Sequence, residues 1–126
     1  MAQEPILIID DNPSNVKLAQ LLLVKAGFEV RTAGDSEQAL ETLRSFRPRL
    51  ILMDIQLPGM NGIEALKVLR ADASTAHIPV IAVTASVMQQ DRNLITEAGF
   101  DGYIGKPINL KEFIDTVRAM LERGSK

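Results

Sequence analysis

Short apolar runs alternate with amphipathic stretches along the chain, and this alternation limits the fold more than any other feature of the sequence. Short, β-branched runs that end at polar residues predict strands, and longer stretches with helical periodicity predict helices. Five strand–helix units follow one another without repeats, low-complexity segments or an interdomain linker. The predicted strands span 5–9, 28–33, 50–53, 79–83 and 102–105. The predicted helices span 12–27, about 36–46, 63–71, 87–98 and 110–122. Asp35 or Ser36 is the predicted cap of the second helix.

This order predicts an α/β fold with a doubly wound, five-stranded parallel sheet. Parallel neighbours need right-handed crossover connections, and a helix in each crossover covers one face of the sheet. The uniformly apolar strands 6–9, 50–53 and 79–83 are typical of central positions that are buried on both faces, whereas 28–33 and 102–105 are mixed enough for the edges. The pattern favours an open sheet over a closed barrel, which would need about eight such units.

Composition narrows the class of protein. A chain of 126 residues with 46% hydrophobic and 24% charged residues suits one globular domain, which we expect to span 1–123 with a short polar tail at 124–126. The net charge of −2 and the lack of a Lys/Arg block give no support for direct nucleic-acid binding. The absence of cysteine excludes disulfides, thiol catalysis and zinc–thiolate sites. Without a signal peptide or membrane span, we expect a cytoplasmic protein with no membrane partner.

Polar residues follow four of the predicted strands, and in a parallel sheet these strand ends lie on one rim. Each has an ordinary structural explanation: a helix cap for Asp10 and Asp11, an Asx turn for Asp54, a backbone hydrogen bond for Thr84 and a loop position for Lys106. None of these explanations requires three acids and a lysine to share a rim. The converging residues are Asp10, Asp11, Asp54, Thr84, Ala85 and Lys106.

Carboxylates that lie close together repel one another unless a cation holds them. Mg²⁺ prefers oxygen ligands and keeps positions open for water and substrate oxygens. One acid could then attack phosphorus, and Asp54 is the best candidate because it stands alone at the end of a central strand. Asp11, or the pair Asp10–Asp11, would hold the metal, while Lys106 and Thr84 would contact phosphoryl oxygens.

At these residues the sequence resembles the receiver domain of two-component response regulators. The similarity covers essentially the whole chain: the pair Asp10–Asp11, Asp54 in "DIQLPGMNG", Thr84 before a small residue, and "KP" at Lys106–Pro107. With Pro58 and Gly62 at the family's offsets after Asp54, this five-part pattern is specific, and no key position departs from it. Among receivers, the chain looks most like single-domain regulators and the receivers of hybrid sensor kinases. The resemblance implies a flavodoxin-like fold with strand order 2-1-3-4-5.

The resemblance also implies a role for each of these residues. Asp54 would accept a phosphoryl group from a partner phosphohistidine, so that the protein is a phosphoacceptor and turns over only its own phosphate. The metal would be Mg²⁺, or alternatively Mn²⁺, and a downstream protein would read the resulting conformational switch. The implied metal ligands are Asp11, Asp54 and the Gln56 backbone carbonyl, with Asp10 acting through water. Lys106 would contact the phosphoryl group, and the peptide bond before Pro107 would be cis. The switch would involve Thr84, Ala85 and Tyr103.

A docking surface is predicted on the first helix. At 100° per residue, Leu18 and Leu21 fall outside the arc that carries the apolar residues of the buried face. Scattered exposed leucines are common. We nevertheless expect Leu18, with Asn15 and Pro107, to bind a helix of a sensor histidine kinase or histidine phosphotransfer protein.

Three alternatives remain open from sequence. An aspartate-nucleophile phosphatase would carry the motif Asp-x-Asp after the first strand, but position 12 is Asn. A nucleotide or cofactor module would need a glycine-rich phosphate loop, and neither G-x-x-x-x-G-K-[ST] nor G-x-G-x-x-G occurs. A receiver excised from a longer protein is the third alternative, against which the initial Met and the short tail argue mildly.

Overall fold

The computed structural model describes residues 4–55, 62–84, 89–105 and 110–124. Strands and helices alternate through all of these segments, as predicted. The ten elements are β1 (Pro5–Ile9), α1 (Pro13–Lys25), β2 (Glu29–Ala33), α2 (Ser36–Thr42), β3 (Leu50–Asp54), α3 (Gly62–Ala71), β4 (Val80–Thr84), α4 (Gln89–Ala98), β5 (Gly102–Gly105) and α5 (Leu110–Gly124).

The five strands form one parallel sheet in the order β2-β1-β3-β4-β5, which confirms the predicted fold. Every residue of β3 is buried, because its apolar side chains point alternately into the two layers of helices. At one edge, β2 buries only Ala33. Strand order therefore follows the hydrophobicity of each strand, with the most apolar segments in the centre.

Two hydrophobic cores lie on opposite faces of the sheet. One core packs Leu66 of α3 and Ile95 of α4 against strand residues such as Leu7. The other packs Leu23 of α1 and Phe113 of α5 against the alternate residues of the same strands. The helices thus fix the sheet from both sides, so that the carboxyl ends of the strands form a rim. Among the residues that the structure describes, none of the helices combines the length and apolar character that crossing a bilayer requires.

Helix α1 begins and ends on local sequence signals. Its N-cap is Asn12, whose side-chain oxygen accepts hydrogen bonds from the backbone N–H of Ser14 at 2.9 Å and of Asn15 at 3.4 Å. The explanation of Asp10 or Asp11 as the cap is therefore wrong. At the other end, Gly27 has φ of +98° and closes the helix, a conformation that favours glycine.

Helix α2 ends at Thr42, earlier than the predicted end near Phe46. The Thr42 hydroxyl donates to the backbone carbonyl of Gln38 at 2.9 Å, which competes with regular helix bonding. Beyond it the chain tightens into turns, in which Arg44 N–H donates to the Glu41 carbonyl at 3.2 Å. Of the two predicted caps, Asp35 and Ser36, the structure uses Asp35, whose carboxylate accepts from Gln38 N–H at 2.8 Å.

Candidate functional site

Three carboxylates meet at the carboxyl-end rim of the sheet. Ile9 of β1 is paired with Met53 of β3, so the next residues in each chain segment, Asp10 and Asp54, lie side by side. Asp10, Asp11 and Asp54 each offer an oxygen atom, and these three atoms all lie within 4.8 Å of one another. The structure thus brings together the three acids that the sequence places at strand ends, and we call them the acidic cluster.

The members of the acidic cluster differ in burial. Asp10 and Asp54 are each only 6% exposed, whereas Asp11 is exposed. Burying a carboxylate disfavours its charged form, and a second carboxylate close by disfavours it further, unless donors or a cation compensate. An arrangement of this kind suits a site that binds a cation better than it suits a purely structural role.

Local backbone geometry at the end of β1 fixes Asp10. Its N–H donates to the Ala33 carbonyl at 3.0 Å, which ties it to the neighbouring strand β2. Its Oδ1 accepts from the N–H of Asn12 at 2.9 Å. Asn12 uses its own side chain to cap α1, so the cap residue holds the helix and the acid at once. The short segment 10–12 therefore places two acids at the rim before α1 begins.

Gly62 supports the backbone beside Asp54. Its N–H donates to the Ile55 carbonyl at 2.9 Å, and a Cβ at this position would lie 2.8 Å from the Ile55 Cα and 2.9 Å from the Asp54 backbone oxygen. Both contacts are with backbone, which cannot move aside as a flexible side chain can. Sequence reasoning identified Gly62 as a turn residue, but the structure shows it as the first residue of α3, packed against the candidate site.

The donor set of the acidic cluster fits a hard divalent cation. Mg²⁺ binds oxygen ligands at about 2.1 Å, so two oxygens on opposite sides of one ion lie about 4.2 Å apart. The three carboxylate oxygens lie within 4.8 Å of one another, which is close to that spacing. The described residues offer oxygen and no sulfur here, which favours Mg²⁺ or Mn²⁺ over zinc.

The other predicted site residues are only partly described. Thr84 is the last residue of β4 and pairs with Gly105 of β5, which places its backbone on the same rim, but its side chain lies outside the described residues. Tyr103 lies on β5 with 41% of its side chain exposed. Four predicted residues lie wholly outside the described part of the chain: Gln56, Ala85, Lys106 and Pro107.

The outward face of α1, where a docking surface is predicted, carries exposed apolar side chains. Leu18 is 43% exposed, and Leu21 and Val24 are each 51% exposed. Ala19 and Leu23 on the opposite face are buried in the core, so the helix is oriented as its periodicity predicts. Its outward face therefore presents large apolar side chains to solvent.

Comparisons with known proteins agree with this geometry. The family profile of the response regulator receiver domain matches residues 6–118. The polar-differentiation response regulator DivK of Brucella anthropi is 43% identical over 116 residues, which cover 92% of this chain and 94% of DivK. These matches span nearly the full length of both chains, so the similarity extends well beyond the residues of the rim.

Two solved structures resemble the fold closely. A putative response regulator from Chloroflexus aurantiacus has a TM-score of 0.92 at 30% identity, covering 96% of this chain and 99% of its own. The receiver domain of the sensor histidine kinase PA1611 from Pseudomonas aeruginosa has a TM-score of 0.88 at 31% identity, with the same coverage. That structure has a magnesium ion coordinated in its active-site cleft.

Proposed function

The chain belongs to the response regulator receiver family of two-component signalling, and within that family's reaction we propose that Asp54 is the phosphoacceptor. The observation that carries the proposal is the acidic cluster, in which three carboxylate oxygens lie within 4.8 Å of one another. Asp54 is the member that ends the central strand β3, and β1 and β4 flank that strand on either side. Its backbone therefore lies in the middle of the sheet.

The proposed reaction is a phosphoryl transfer between two side chains. A carboxylate oxygen of Asp54 attacks the phosphorus atom of a phosphohistidine on the partner. An O–P bond forms, the N–P bond breaks, and its electron pair returns to the imidazole nitrogen of the donor. The product is an acyl phosphate on Asp54, which water later hydrolyses to restore the carboxylate and release inorganic phosphate. On this proposal the protein turns over only its own phosphate.

We assign the metal ligands to the same cluster. Asp11 and Asp54 would hold Mg²⁺ with the backbone carbonyl of Gln56, and Asp10 would act through a bound water. When bound, the ion would neutralise charge on the transferring phosphoryl group and on the crowded carboxylates. The donor chemistry of the described residues supports this assignment, as does the magnesium ion in the cleft of the PA1611 receiver. Mn²⁺ has the same preference for oxygen and could substitute.

Phosphorylation would then change the conformation of the protein. Lys106 would pair with the phosphoryl group, Thr84 beside the small Ala85 would move toward it, and Tyr103 would change rotamer. The peptide bond before Pro107 would be cis and would hold Lys106 in place. A downstream protein that prefers the phosphorylated conformation would shift the population toward it and so receive the signal.

The phosphodonor would dock on the exposed face of α1. A sensor histidine kinase or a histidine phosphotransfer protein would pack a helix against Leu18 and Asn15, with Pro107 at the edge of the contact. The 43% exposure of Leu18 supports this surface. Leu18→Asp would then slow transfer from the protein donor and leave phosphorylation by a small acyl phosphate unchanged. Within this scheme residues 1–123 form the receiver domain, and its cytoplasmic location stays a prediction.

Intact-mass measurement after incubation with Mg²⁺ and a small acyl-phosphate donor tests the phosphoacceptor directly. The wild-type protein should gain one phosphoryl group that is labile at alkaline pH, and a chelator should suppress the gain. Asp54→Asn should gain none. Asp35→Asn is the matched control, because Asn retains the N-cap of α2 at the same rim but lies outside the acidic cluster. Equal modification of wild type and Asp54→Asn would disprove the assignment.

A further inference from the structure

Arg70, near the end of α3, binds backbone and side-chain oxygens from two other segments of the chain. Its Nη1 donates to the carbonyl of Ala76 at 3.0 Å and to that of Ile78 at 2.7 Å. Its Nη2 donates to the carbonyl of Gly99 at 3.4 Å and lies 2.8 Å from Oδ2 of Asp101. One planar guanidinium thus joins the loop before β4 to the end of α4 and the start of β5.

Asp101 extends this network into the sheet. Its Oδ2 accepts the N–H of Val80, the first residue of β4, at 2.8 Å, and its own N–H donates to the Val80 carbonyl at 2.9 Å. The side chain of Arg70 is 28% exposed and that of Asp101 is 42% exposed, so solvent screens the pair only in part. We call Arg70, Asp101 and the backbone groups that they bind the Arg70 clasp.

The C-terminal end of α4 is also held by packing and by its own backbone. Gly99 has φ of +104°, and the N–H of Phe100 returns to the Ile95 carbonyl at 3.4 Å. Ile95 is 3% exposed and Phe100 is 7% exposed. The C-terminal half of α4 is therefore anchored in the core next to the clasp.

The two ends of α4 lie at opposite rims of the sheet. The chain leaves β4 at Thr84, on the rim of the acidic cluster, and α4 begins at Gln89. The helix then runs back to Ala98, next to the clasp and to the amino end of β5. A change that starts at Asp54 and Thr84 would therefore reach the beginning of α4 first.

We propose that the Arg70 clasp is the fixed end of α4, so that phosphorylation displaces the beginning of the helix while residues 95–101 stay in place. Arg70 is on this account a positioning residue for the switch, and it takes no part in phosphoryl transfer. The switching role rests on the proposed function of Asp54. Lysine cannot replace Arg70, because a single ammonium group lacks the planar fork of donors that reaches the loop before β4, Gly99 and Asp101 together.

Hydrogen–deuterium exchange of the full chain tests the clasp, with Arg70→Lys as the variant. Arg49→Lys is the matched control, because the ion pair of Arg49 with Glu4 also lies at the amino end of the sheet but joins the starts of β1 and β3. Without phosphodonor, Arg70→Lys should raise exchange of the amides of residues 99–101 about tenfold or more, and Arg49→Lys should leave them unchanged. Unchanged exchange in Arg70→Lys would overturn the clasp.

A second comparison tests the role in switching, using Mg²⁺ and a small acyl-phosphate donor. In wild type, exchange should change in peptides over 89–94 and stay constant over 99–101. In Arg70→Lys the change should spread into 99–101, while the mass gain of one phosphoryl group is retained. A wild-type change as large at 99–101 as at 89–94 would overturn the fixed end. Absence of the mass gain from wild type would instead overturn the proposed function and the switching role with it, while the first comparison still decides the clasp.

Discussion

The two ends of the sheet differ in how their charged side chains are arranged. At the amino end, Nη1 of Arg49 lies 2.6 Å from Oε2 of Glu4, and Nη2 of Arg70 lies 2.8 Å from Oδ2 of Asp101, so opposite charges are paired. At the carboxyl end, the structure gathers the three like charges of the acidic cluster. Paired charges join neighbouring segments and stabilise the fold. Like charges that lie close together lower the stability of the fold, and such an arrangement is typical of a functional site.

The difference extends to the backbone. At the amino end, guanidinium and carboxylate groups at the protein surface hold the chain segments together. At the carboxyl end, the segment of Asp54 and Ile55 is held by the close approach of Gly62, which leaves no space for a side chain. A partly exposed ion pair can be lost at modest cost, but a backbone contact of this kind cannot adapt. The candidate site should therefore be more sensitive to small changes in shape than the opposite end.

The largest expected effect is that of Gly62→Ala. The added methyl group would lie under 3 Å from the backbone of Asp54 and Ile55, so β3 or α3 must shift. We expect a loss of about 1–3 kcal/mol in the free energy of unfolding, typical of overpacking, together with slower phosphorylation of Asp54. Chemical denaturation and intact-mass kinetics measure the two effects.

Gly34→Ala is the control for this substitution. Its added methyl group would meet the Gln38 side chain at 3.5 Å, which is ordinary contact with a group that can move. If both variants were equally stable and equally fast, the close approach at Gly62 would have no role in holding Asp54.

A smaller effect, of opposite sign at the two ends, is expected from removing a charge. Asp11→Asn takes one negative charge out of the acidic cluster and should raise the free energy of unfolding of the metal-free protein by about 0.5 kcal/mol. Removing an acid from the amino end should lower it, as in Asp101→Asn, which loses its ion pair with Arg70. Thermal and chemical unfolding in the presence of a chelator measure both.

Magnesium should reverse the result for Asp11→Asn. Because the variant lacks one carboxylate ligand, we expect it to bind Mg²⁺ about tenfold or more weakly than wild type, and to gain less stability from added metal. At saturating Mg²⁺ the wild-type protein should therefore be the more stable of the two. Should Mg²⁺ stabilise both proteins equally, the acidic cluster would not be the metal site.

The strand pattern made most of the fold predictable, because a strand that is buried on both faces must be apolar throughout. β3 and β4 are buried on both faces, and their central place in the sheet followed from that property, whereas the full strand order was implied by the family resemblance. Convergence of Asp10, Asp11 and Asp54 was predictable for a related reason, since all parallel strands end on the same rim. The sequence signals that sufficed are therefore local to single strands: the apolar pattern of each strand and the acids at its carboxyl end.

Features that depend on particular side-chain contacts were not predictable. The end of α2 at Thr42 depends on two local contacts, the hydrogen bond of the Thr42 hydroxyl to the Gln38 carbonyl and that of Arg47 to the Leu43 carbonyl. The Arg70 clasp joins residues up to 31 positions apart, and no periodicity marks it. The cap of α1 is different: Asn12 directly precedes Pro13, a residue common in the first turn of a helix, so the sequence did contain the signal that Asn12 is the cap.

The smallest expected effect is a dependence on pH at Asp72, in the loop between α3 and β4. The backbone N–H of Ser74 lowers the pKa of this carboxyl below its ordinary value of 3.8; the Ser74 hydroxyl lowers it further, and the charge of Arg47 adds to the effect. Because the pKa in the folded protein lies below that in the unfolded chain, ionised Asp72 stabilises the fold above pH 3.8. This stabilisation is lost as the pH falls through the folded-state pKa.

Ser74→Ala removes the hydroxyl donor and retains the backbone donor. The pKa of Asp72 should therefore move part of the way back toward 3.8, which a carboxyl-detected NMR titration measures. The variant should be slightly less stable than wild type at neutral pH, and the difference should disappear at a pH low enough to protonate Asp72 in both proteins. A stability difference that persisted there would mean that Ser74 acts through packing. In that case the Ser74 hydroxyl would not be a donor that stabilises ionised Asp72, and the contrast between a single carboxylate held by local donors and the three carboxylates of the acidic cluster would not hold.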